Sequence, residues 1–230
     1  MKKIKLTLLA LLTFGLLFSC ATQAGQATKP APKSKLVTKN TQSMDGGFFY
    51  SFWTNGGGTV KMTVDGANGY SVRWTDCGNF TCGKGWGKGT GRTISYTGYY
   101  NTSGGGAYGI YGWTINPLVE YYISDKLGEA SNPATAGDLV GSVESDGGVY
   151  DVYKHKQVQQ PSINGTADFM QFKSIRREPR AGGTITIQKH FDAWKKMGLV
   201  LGTRHNYQIL LTEGWQGSGS AQASITEVSP

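Results

Sequence analysis

Short strand-like runs, each ended by a tight-turn signal, dominate this chain from about residue 48 onward. Turn signals such as Asn55-Gly56 and Asp65-Gly66 separate the runs, and dipeptides of this kind favour the backbone conformations of tight hairpins. With 34 glycines, 12 tyrosines, 9 phenylalanines and 6 tryptophans, the composition suits aromatic-faced sheets rather than helix bundles. We identify strand-like runs at 48–53, 58–64, 70–76, 92–100, 107–115, 119–124, 141–143, 148–155, 169–177, 183–188, 207–213 and 221–228.

One segment, residues 188–199, departs from this pattern. Phe191, Trp194 and Met197 recur at intervals of three, while charged residues fall between them. This spacing predicts one amphipathic helix packed on a sheet. A dozen strands and one helix in a single domain predict an all-β fold, a two-sheet antiparallel sandwich of jelly-roll type with one α-helix.

The N-terminal residues 1–20 have the pattern of a targeting segment. Three lysines precede an apolar run that is too short for a stable membrane span. The run ends in Leu17-Phe18-Ser19-Cys20, which resembles a lipoprotein cleavage box and predicts a lipid anchor at Cys20. Ordinary secretion with cleavage near Ala24 remains the alternative, and either route predicts export.

Residues 21–44 contain no aromatic side chain, so we expect a flexible tether there and a folded domain at 45–230. Seven of the 23 basic residues precede Asp45, whereas all 15 acidic residues follow Met44. The predicted domain therefore has a net charge of about +1. Nucleic-acid binding requires a concentrated basic excess, so we expect no nucleic-acid partner. We separately expect a monomer.

Cys77 and Cys82 are the cysteines of the predicted domain, in a C-x4-C spacing. An exported protein permits a disulfide, and we expect the pair to close a hairpin turn. Two free thiols remain the alternative. Two cysteines without nearby histidines make only half of a zinc site, so we expect no metal and no cofactor.

Two glutamates lie within otherwise apolar strand-like runs. Alternation puts Glu120 and Tyr122 on one face of their strand, and it puts Glu213 and Trp215 on one face of another. Burying a carboxylate is costly unless it is solvated or hydrogen-bonded. Two such carboxyls, each beside an aromatic ring, suit a glycosidase, which uses one as a nucleophile and one as a proton donor. An exposed glutamate on an outer face is the plainer alternative for each one.

The motifs around these glutamates resemble glycoside hydrolase family 11, the endo-β-1,4-xylanases. The strings are GNF at 78–80, GKGW at 83–86, YGW at 111–113, PLVEYY at 117–122, SDGG at 145–148, PSI at 161–163 and TEGW at 212–215. They occur in the order and spacing of that family, and the resemblance runs from about residue 46 to 228.

The resemblance implies a jelly roll with a concave cleft that binds xylan. It places Glu120 as nucleophile and Glu213 as general acid/base of a retaining mechanism, for which carboxyl groups about 5–5.5 Å apart are expected. The tip of a thumb loop over the cleft is expected at residues 161–165. The residues implied in substrate binding are Trp53, Tyr111, Trp113, Tyr122, Pro161, Ser162, Ile163, Gln171, Arg176 and Tyr207.

Two further positions bear on the expected chemistry. The resemblance places Asn79 against the acid/base carboxyl. We expect its neutral amide to add no charge there, which favours a pH optimum of roughly 5.5 to 7. Gln157 stands at the base of the thumb where the family often has an arginine, and this leaves the anchoring of the thumb open.

Two other functions fit parts of the same pattern. A non-catalytic sugar-binding module would explain the aromatic residues without the paired glutamates. A related jelly-roll β-1,4-glucanase would share the chemistry but need a wider cleft.

Overall fold

The computed structural model describes residues 33–229, which form thirteen β-strands, one α-helix and a short 3₁₀ helix at Pro133–Thr135. The strands are β1 (Lys35–Val37), β2 (Thr41–Asp45), β3 (Phe48–Thr54), β4 (Thr59–Val64), β5 (Gly69–Trp86), β6 (Thr93–Thr102), β7 (Ala107–Ile115), β8 (Val119–Leu127), β9 (Asp138–Ser145), β10 (Gly148–Ser162), β11 (Gly165–Arg176), β12 (Gly183–Thr186) and β13 (Arg204–Ser229), with helix α1 (Ile187–Lys196) before β13.

Two layers of sheet share the long strands β5 and β13. In the first layer, the order is β2-β3-β5-β13-β7-β8-β11-β10-β9. In the second layer, β1 pairs with β4, and β4 pairs with the first half of β5. The part of β13 from Gly219 onward pairs with β6, and β6 pairs with β12. This is the predicted all-β sandwich, although β8 and β11 pair in parallel rather than antiparallel.

The shared strands change layer at a pair of local irregularities. Asp76 on β5 and Gln216 on β13 both have positive φ, at 46° and 51°, and the pairing register shifts between Gly217 and Gly219. Irregularities of this kind bend a strand and re-aim its side chains. The sequence pattern predicts two strands at 207–213 and 221–228 because alternation breaks at this bend, whereas one strand runs through both.

The core lies between the two layers and is built largely from aromatic side chains. Tyr108 packs against Tyr96 and Tyr100, with ring-centroid distances of 5.8 and 5.5 Å respectively. Trp74 stacks on Tyr100 from β5. Aromatic pairs at such distances stabilise a fold beyond the area that they bury. Strand alternation thus sends one face of each layer inward and leaves the other face of the first layer free.

Helix α1 covers this core as the spacing of its apolar residues predicts, although it ends at Lys196 rather than near Leu199. Trp194 is fully buried against Tyr121 and Phe172, and its indole N–H donates to Ser174 Oγ at 3.0 Å. His190 is also fully buried, and burial lowers its pKa to about 3, so it packs as a neutral side chain.

The predicted tether is wrong for residues 35–44, which belong to the sheet. Strand β1 pairs with β4 and buries Val37, and β2 pairs with β3. The next residue, Asp45, accepts a 2.6 Å hydrogen bond from Lys84, whose side chain is 0% exposed. A buried ammonium needs such a partner. Strand β1 and Asp45 therefore gain their order from partners that are distant in the sequence, whereas β2 forms a hairpin with the strand that follows it.

The predicted disulfide is also wrong, because Cys77 and Cys82 are free, buried thiols. Both lie on the continuous strand β5 rather than on two arms of a hairpin. Five residues of strand span about 16 Å, whereas bridged Cα atoms lie within about 7 Å of each other. Burial raises the pKa of both thiols, which disfavours the reactive thiolate.

The predicted signal segment and Cys20 lie outside the described residues. Within residues 33–229, no helix is long and apolar enough to cross a membrane.

We expect Trp194→Ala to lower the free energy of unfolding by about 3–5 kcal/mol, since it leaves a large cavity between α1 and the sheet. Urea unfolding followed by fluorescence or circular dichroism measures the change. Lys195→Ala, on the exposed side of the same helix, is the matched control and should stay within about 0.5 kcal/mol of the parent. A loss below about 1 kcal/mol for Trp194→Ala would contradict the packing described here.

Candidate active site

The free face of the first layer forms a deep cleft of about 1080 Å³. Side chains from β3, β5, β7, β8, β11 and β13 line its floor, and the turn between β10 and β11 lines one wall. The predicted cleft residues brought together here are Trp53, Asn79, Tyr111, Trp113, Glu120, Tyr122, Pro161, Ser162, Ile163, Gln171, Tyr207 and Glu213.

Glu120 lies on β8 and is 6% exposed. Its neighbours Val119, Tyr121 and Ile123 point into the core, as alternation predicts. The carboxyl accepts hydrogen bonds from Tyr111 Oη at 2.6 Å and Tyr122 Oη at 3.2 Å, while the Gln171 amide donates to its second oxygen.

The environment of Glu120 combines burial with hydrogen-bond donors. Burial raises the pKa of this carboxyl, while Tyr111, Gln171, the charge of Lys173 and Tyr122 oppose that rise. Donors that point at a carboxylate favour its ionised form. Behind the first donor, the Trp113 indole N–H donates to Tyr111 Oη at 2.7 Å, which fixes the tyrosine in place. The pKa of Glu120 is raised on balance, and the three donors limit that rise by favouring the carboxylate.

Glu213 lies on β13 and is 7% exposed. Burial, followed by the negative charge of Glu120, raises the pKa of Glu213 to about 8. This carboxyl therefore keeps its proton at neutral pH, and both carboxyls line the same cleft. Such a pair, with pKa values driven apart by their surroundings, is the pattern of an acid/base assignment.

Asn79 contacts Glu213 as predicted, and it donates a hydrogen bond to that carboxyl. Strand pairing places Asn79 opposite Trp215, and its amide N–H donates to Glu213 Oε1 at 3.4 Å and to the Gly214 carbonyl at 3.3 Å. This donor lowers the pKa of Glu213 against the larger effect of burial. The amide thus adds no charge beside Glu213, as expected, but it does influence the acid through this hydrogen bond.

Gln157 takes part in a hydrogen-bond chain between the thumb and the cleft floor. Its Nε2 donates to Gln171 Oε1 at 3.0 Å, and Gln171 Nε2 in turn donates to Glu120. The pairing of β10 with β11 shifts register just beyond it, between Gln157 and Gln160. A neutral amide thus connects the thumb base to the carboxyl through one intermediate side chain.

Aromatic rings supply most of the remaining surface of the cleft. Tyr111 packs against Tyr122 and Tyr207 at centroid distances of 4.8 and 6.0 Å. Trp53 is half-buried at one side, and Trp215 is 36% exposed near Glu213. Ring faces of this kind pack on apolar surfaces of a ligand.

Arg176 is not a cleft residue, so its prediction as a substrate-binding side chain is wrong. Alternation along β11 sends Gln171 and Lys173 toward the cleft and Arg176 to the opposite side. There its guanidinium donates to the Gly147 carbonyl at 3.0 Å and to Tyr150 Oη at 3.3 Å. Arg176 therefore secures the turn between β9 and β10.

Several lining residues were not predicted. Lys173 shares the cleft face with Gln171, so alternation from a predicted site residue could have identified it. The segment after β8 could not be assigned, because no periodicity marks it. Its lining residues are Ser131, Asn132, Thr135 and Ala136. Within residues 33–229, no group of three or more potential metal-ligating side chains could hold a metal ion.

Comparison with known proteins gives a consistent assignment. A model of the family described as glycosyl hydrolases family 11 matches residues 45–224. "Endo-1,4-beta-xylanase 2" of Rhizopus oryzae is 49% identical over 218 residues, which cover 94% of this chain and 100% of the relative. "Ethylene-inducing xylanase" of Penicillium digitatum is 46% identical over the same shares. "Endo-1,4-beta-xylanase 2" of Humicola insolens is 46% identical over 195 residues, 85% of each chain. With paired buried carboxyls in a concave cleft and a match over most of its length, this chain belongs to glycosyl hydrolases family 11.

Proposed function

We propose that this protein is an endo-β-1,4-xylanase that cleaves xylan by a retaining double-displacement mechanism. The observation that carries the proposal is the contrast between the two cleft carboxyls. Glu120 is surrounded by three hydrogen-bond donors, whereas Glu213 has a pKa of about 8. A retaining glycosidase needs one ionised nucleophile and one protonated acid in the same cleft. The curated relatives named above carry xylanase names, which supports xylan as the substrate.

In the first step, Glu213 gives its proton to the interglycosidic oxygen while Glu120 attacks the anomeric carbon. The bond to the leaving sugar breaks, and a glycosyl ester forms on Glu120. This step requires the two carboxyl groups to lie about 5–5.5 Å apart, and that separation remains a prediction.

In the second step, Glu213 must act as a base. Esterification removes the negative charge of Glu120, and that charge is the second largest cause of the raised pKa of Glu213. The pKa of Glu213 therefore falls once the ester has formed, and its carboxylate can take a proton from water. Water then attacks the anomeric carbon, which releases the sugar with retained configuration and restores both carboxyls.

The surrounding residues have separable roles in this proposal. Tyr111, Tyr122 and Gln171 orient Glu120, and Tyr122 also lies within reach of the sugar. Trp53 provides a ring face at the far end of the bound chain, while Trp113 and Tyr207 shape the floor. The thumb residues Pro161, Ser162 and Ile163 cover the sugar from above, and movement of this turn would admit the polymer.

The two alternative functions are weaker. A sugar-binding module would need the aromatic surface. It would not need an acid such as Glu213, with a pKa of about 8, in the same cleft as the hydrogen-bonded carboxyl of Glu120. A glucanase would use the same pair of acids, and substrate assays distinguish it, since glucose carries a hydroxymethyl group that xylose lacks.

We also propose that the protein is exported and that Cys20 is lipidated. We further propose that the catalytic domain is a monomer. Support for export is the lysine-rich start followed by an apolar run that ends in Leu17-Phe18-Ser19-Cys20. Mass analysis of the mature protein from its native host distinguishes an acylated Cys20 from cleavage near Ala24.

We expect Glu120→Gln to abolish measurable release of reducing sugar from xylan, because it removes the nucleophile. We expect Glu213→Gln to lower kcat/KM by about 10²–10⁴-fold, because it removes the general acid/base. Glu144→Gln removes an exposed carboxylate on β9 and should keep the parental rate. Parallel assays on carboxymethylcellulose should show little release. Full activity of Glu120→Gln, or a preference for the cellulose derivative, would overturn the proposal.

The nucleophile can be identified directly with a 2-fluoro-xylobioside that carries a good leaving group. The fluorine slows hydrolysis of the ester, so the adduct should accumulate and map by peptide mass spectrometry to Glu120. Heat-unfolded protein is the control for non-specific labelling. A stable adduct on any other residue would contradict the assigned roles.

We expect Asn79→Ala to move the alkaline limb of the kcat/KM pH profile upward. Glu213 acts as an acid, so activity is lost as pH rises through its pKa. The Asn79 N–H lowers that pKa, and its removal raises it. Asn101→Ala, on an exposed position of β6, serves as the control and should leave both limbs in place. A downward shift of the alkaline limb in Asn79→Ala would show that the sign is wrong.

A further inference from the structure

The cleft contains one ammonium group without a polar partner. Lys173 lies on β11, two residues beyond Gln171 on the same face, and its Nζ lies 6.0 Å from the ring centroid of Tyr122. Within the described part of the chain, no carboxylate lies within 4.0 Å of this Nζ, and no acceptor forms a hydrogen bond with it. Its three N–H donors are therefore available to a ligand.

The charge balance of the cleft makes this lysine unusual. Among the lining residues of the described chain, the charged side chains are Glu120, Glu213 and Lys173. Burial lowers the pKa of Lys173, so holding its charge there has a cost, while the two glutamates act in the opposite direction. A neutral polysaccharide offers hydroxyl groups to this ammonium but no negative charge to pair with it.

We propose that Lys173 binds the carboxylate of an acidic substituent, a uronic acid side group, on the xylan chain. The proposal rests on the proposed function and extends it to the class of substrate. An ammonium attracts a carboxylate as a point charge and can donate hydrogen bonds to it. With Glu120 ionised, Lys173 also offsets the negative charge that would otherwise repel an acidic polymer from the cleft.

The strand register places this contact beside the reacting bond rather than on it. On the cleft face, Glu120 pairs with Gln171, and Tyr122 pairs with Lys173. Two residues along a strand span about 6.6 Å. The ammonium therefore lies beyond the hydrogen bonds of the nucleophile, where it meets a branch or a neighbouring sugar unit.

Lys173 could instead act only on the carboxyl pair, because its charge lowers the pKa of both Glu120 and Glu213. The two roles have different readouts. A tuning role moves the limbs of the pH–rate profile on every substrate. A recognition role changes the ratio of kcat/KM on acidic and neutral forms of the same polymer.

The test compares glucuronoxylan with the same preparation after its carboxyl groups have been reduced to alcohols. For each protein, kcat/KM is measured on both polymers at low ionic strength and at the pH optimum of that protein. We expect the wild type to favour the acidic polymer by about two- to fivefold, as for a partly exposed ion pair. The preference should shrink in high salt.

Three variants separate charge from shape. Lys173→Met should bring the ratio of the two polymers to about one, and Lys173→Arg should restore part of the preference because it keeps the cation. Lys61→Met, an exposed lysine on β4 outside the cleft, removes the same charge from the molecule and should keep the wild-type ratio.

Two outcomes would overturn the proposal. One is a wild-type ratio at or below one, and the other is a ratio that Lys173→Met leaves unchanged while the pH profile moves. Failure of the proposed function is a different result, since the wild type would then release no sugar from either polymer.

Discussion

Strands β5 and β13 run side by side through both layers of the sandwich, and their pairing positions most of the molecule. Fifteen residue pairs register between them, interrupted by one shift between Gly217 and Gly219. On one side of the bend they build the layer that contains β4 and β6, and on the other they form part of the cleft floor. The same pairing places Asn79 beside the acid on β13. Fold and acid/base chemistry thus depend on one antiparallel ladder.

The cleft is possible because strand alternation separates two kinds of burial. On β8, Tyr121 and Ile123 enter an apolar core, while Glu120 and Tyr122 are equally hidden on the opposite face. Isolated buried carboxylates are costly, and Glu120 is tolerated because three donors point at it. Glu213 has fewer donors and responds by holding its proton. The cost of burying a carboxylate is offset by hydrogen-bond donors at Glu120 and avoided by protonation at Glu213. This difference suits Glu120 to act as a nucleophile and Glu213 to act as an acid.

Much of the site could be predicted because it lies on strands. The two-residue alternation of a strand placed Glu120 and Tyr122 on one face without coordinates, and the order of the family motifs identified Glu213 as the partner carboxyl. The same alternation, counted from Gln171, places Lys173 on the cleft face of β11 and Arg176 on the opposite face. The errors occurred where local pattern carries no information. The C-x4-C spacing of Cys77 and Cys82 suggested a disulfide that closes a hairpin turn, yet long-range pairing keeps this stretch extended in β5.

The sequence by itself determined the strand-rich fold class, the single helix, the two glutamates and the family resemblance, since these depend on periodicity and on motifs that neighbouring residues define. Only the tertiary structure decided that residues 35–44 belong to the sheet, that the thiols stay apart, and that Gln157 reaches Glu120 through Gln171. Each of these depends on which strands come together, whether they are neighbours in the chain such as β2 and β3 or more distant strands such as β1 and β4. Pairing partners, burial and the resulting pKa values arise from that proximity, which no local pattern encodes.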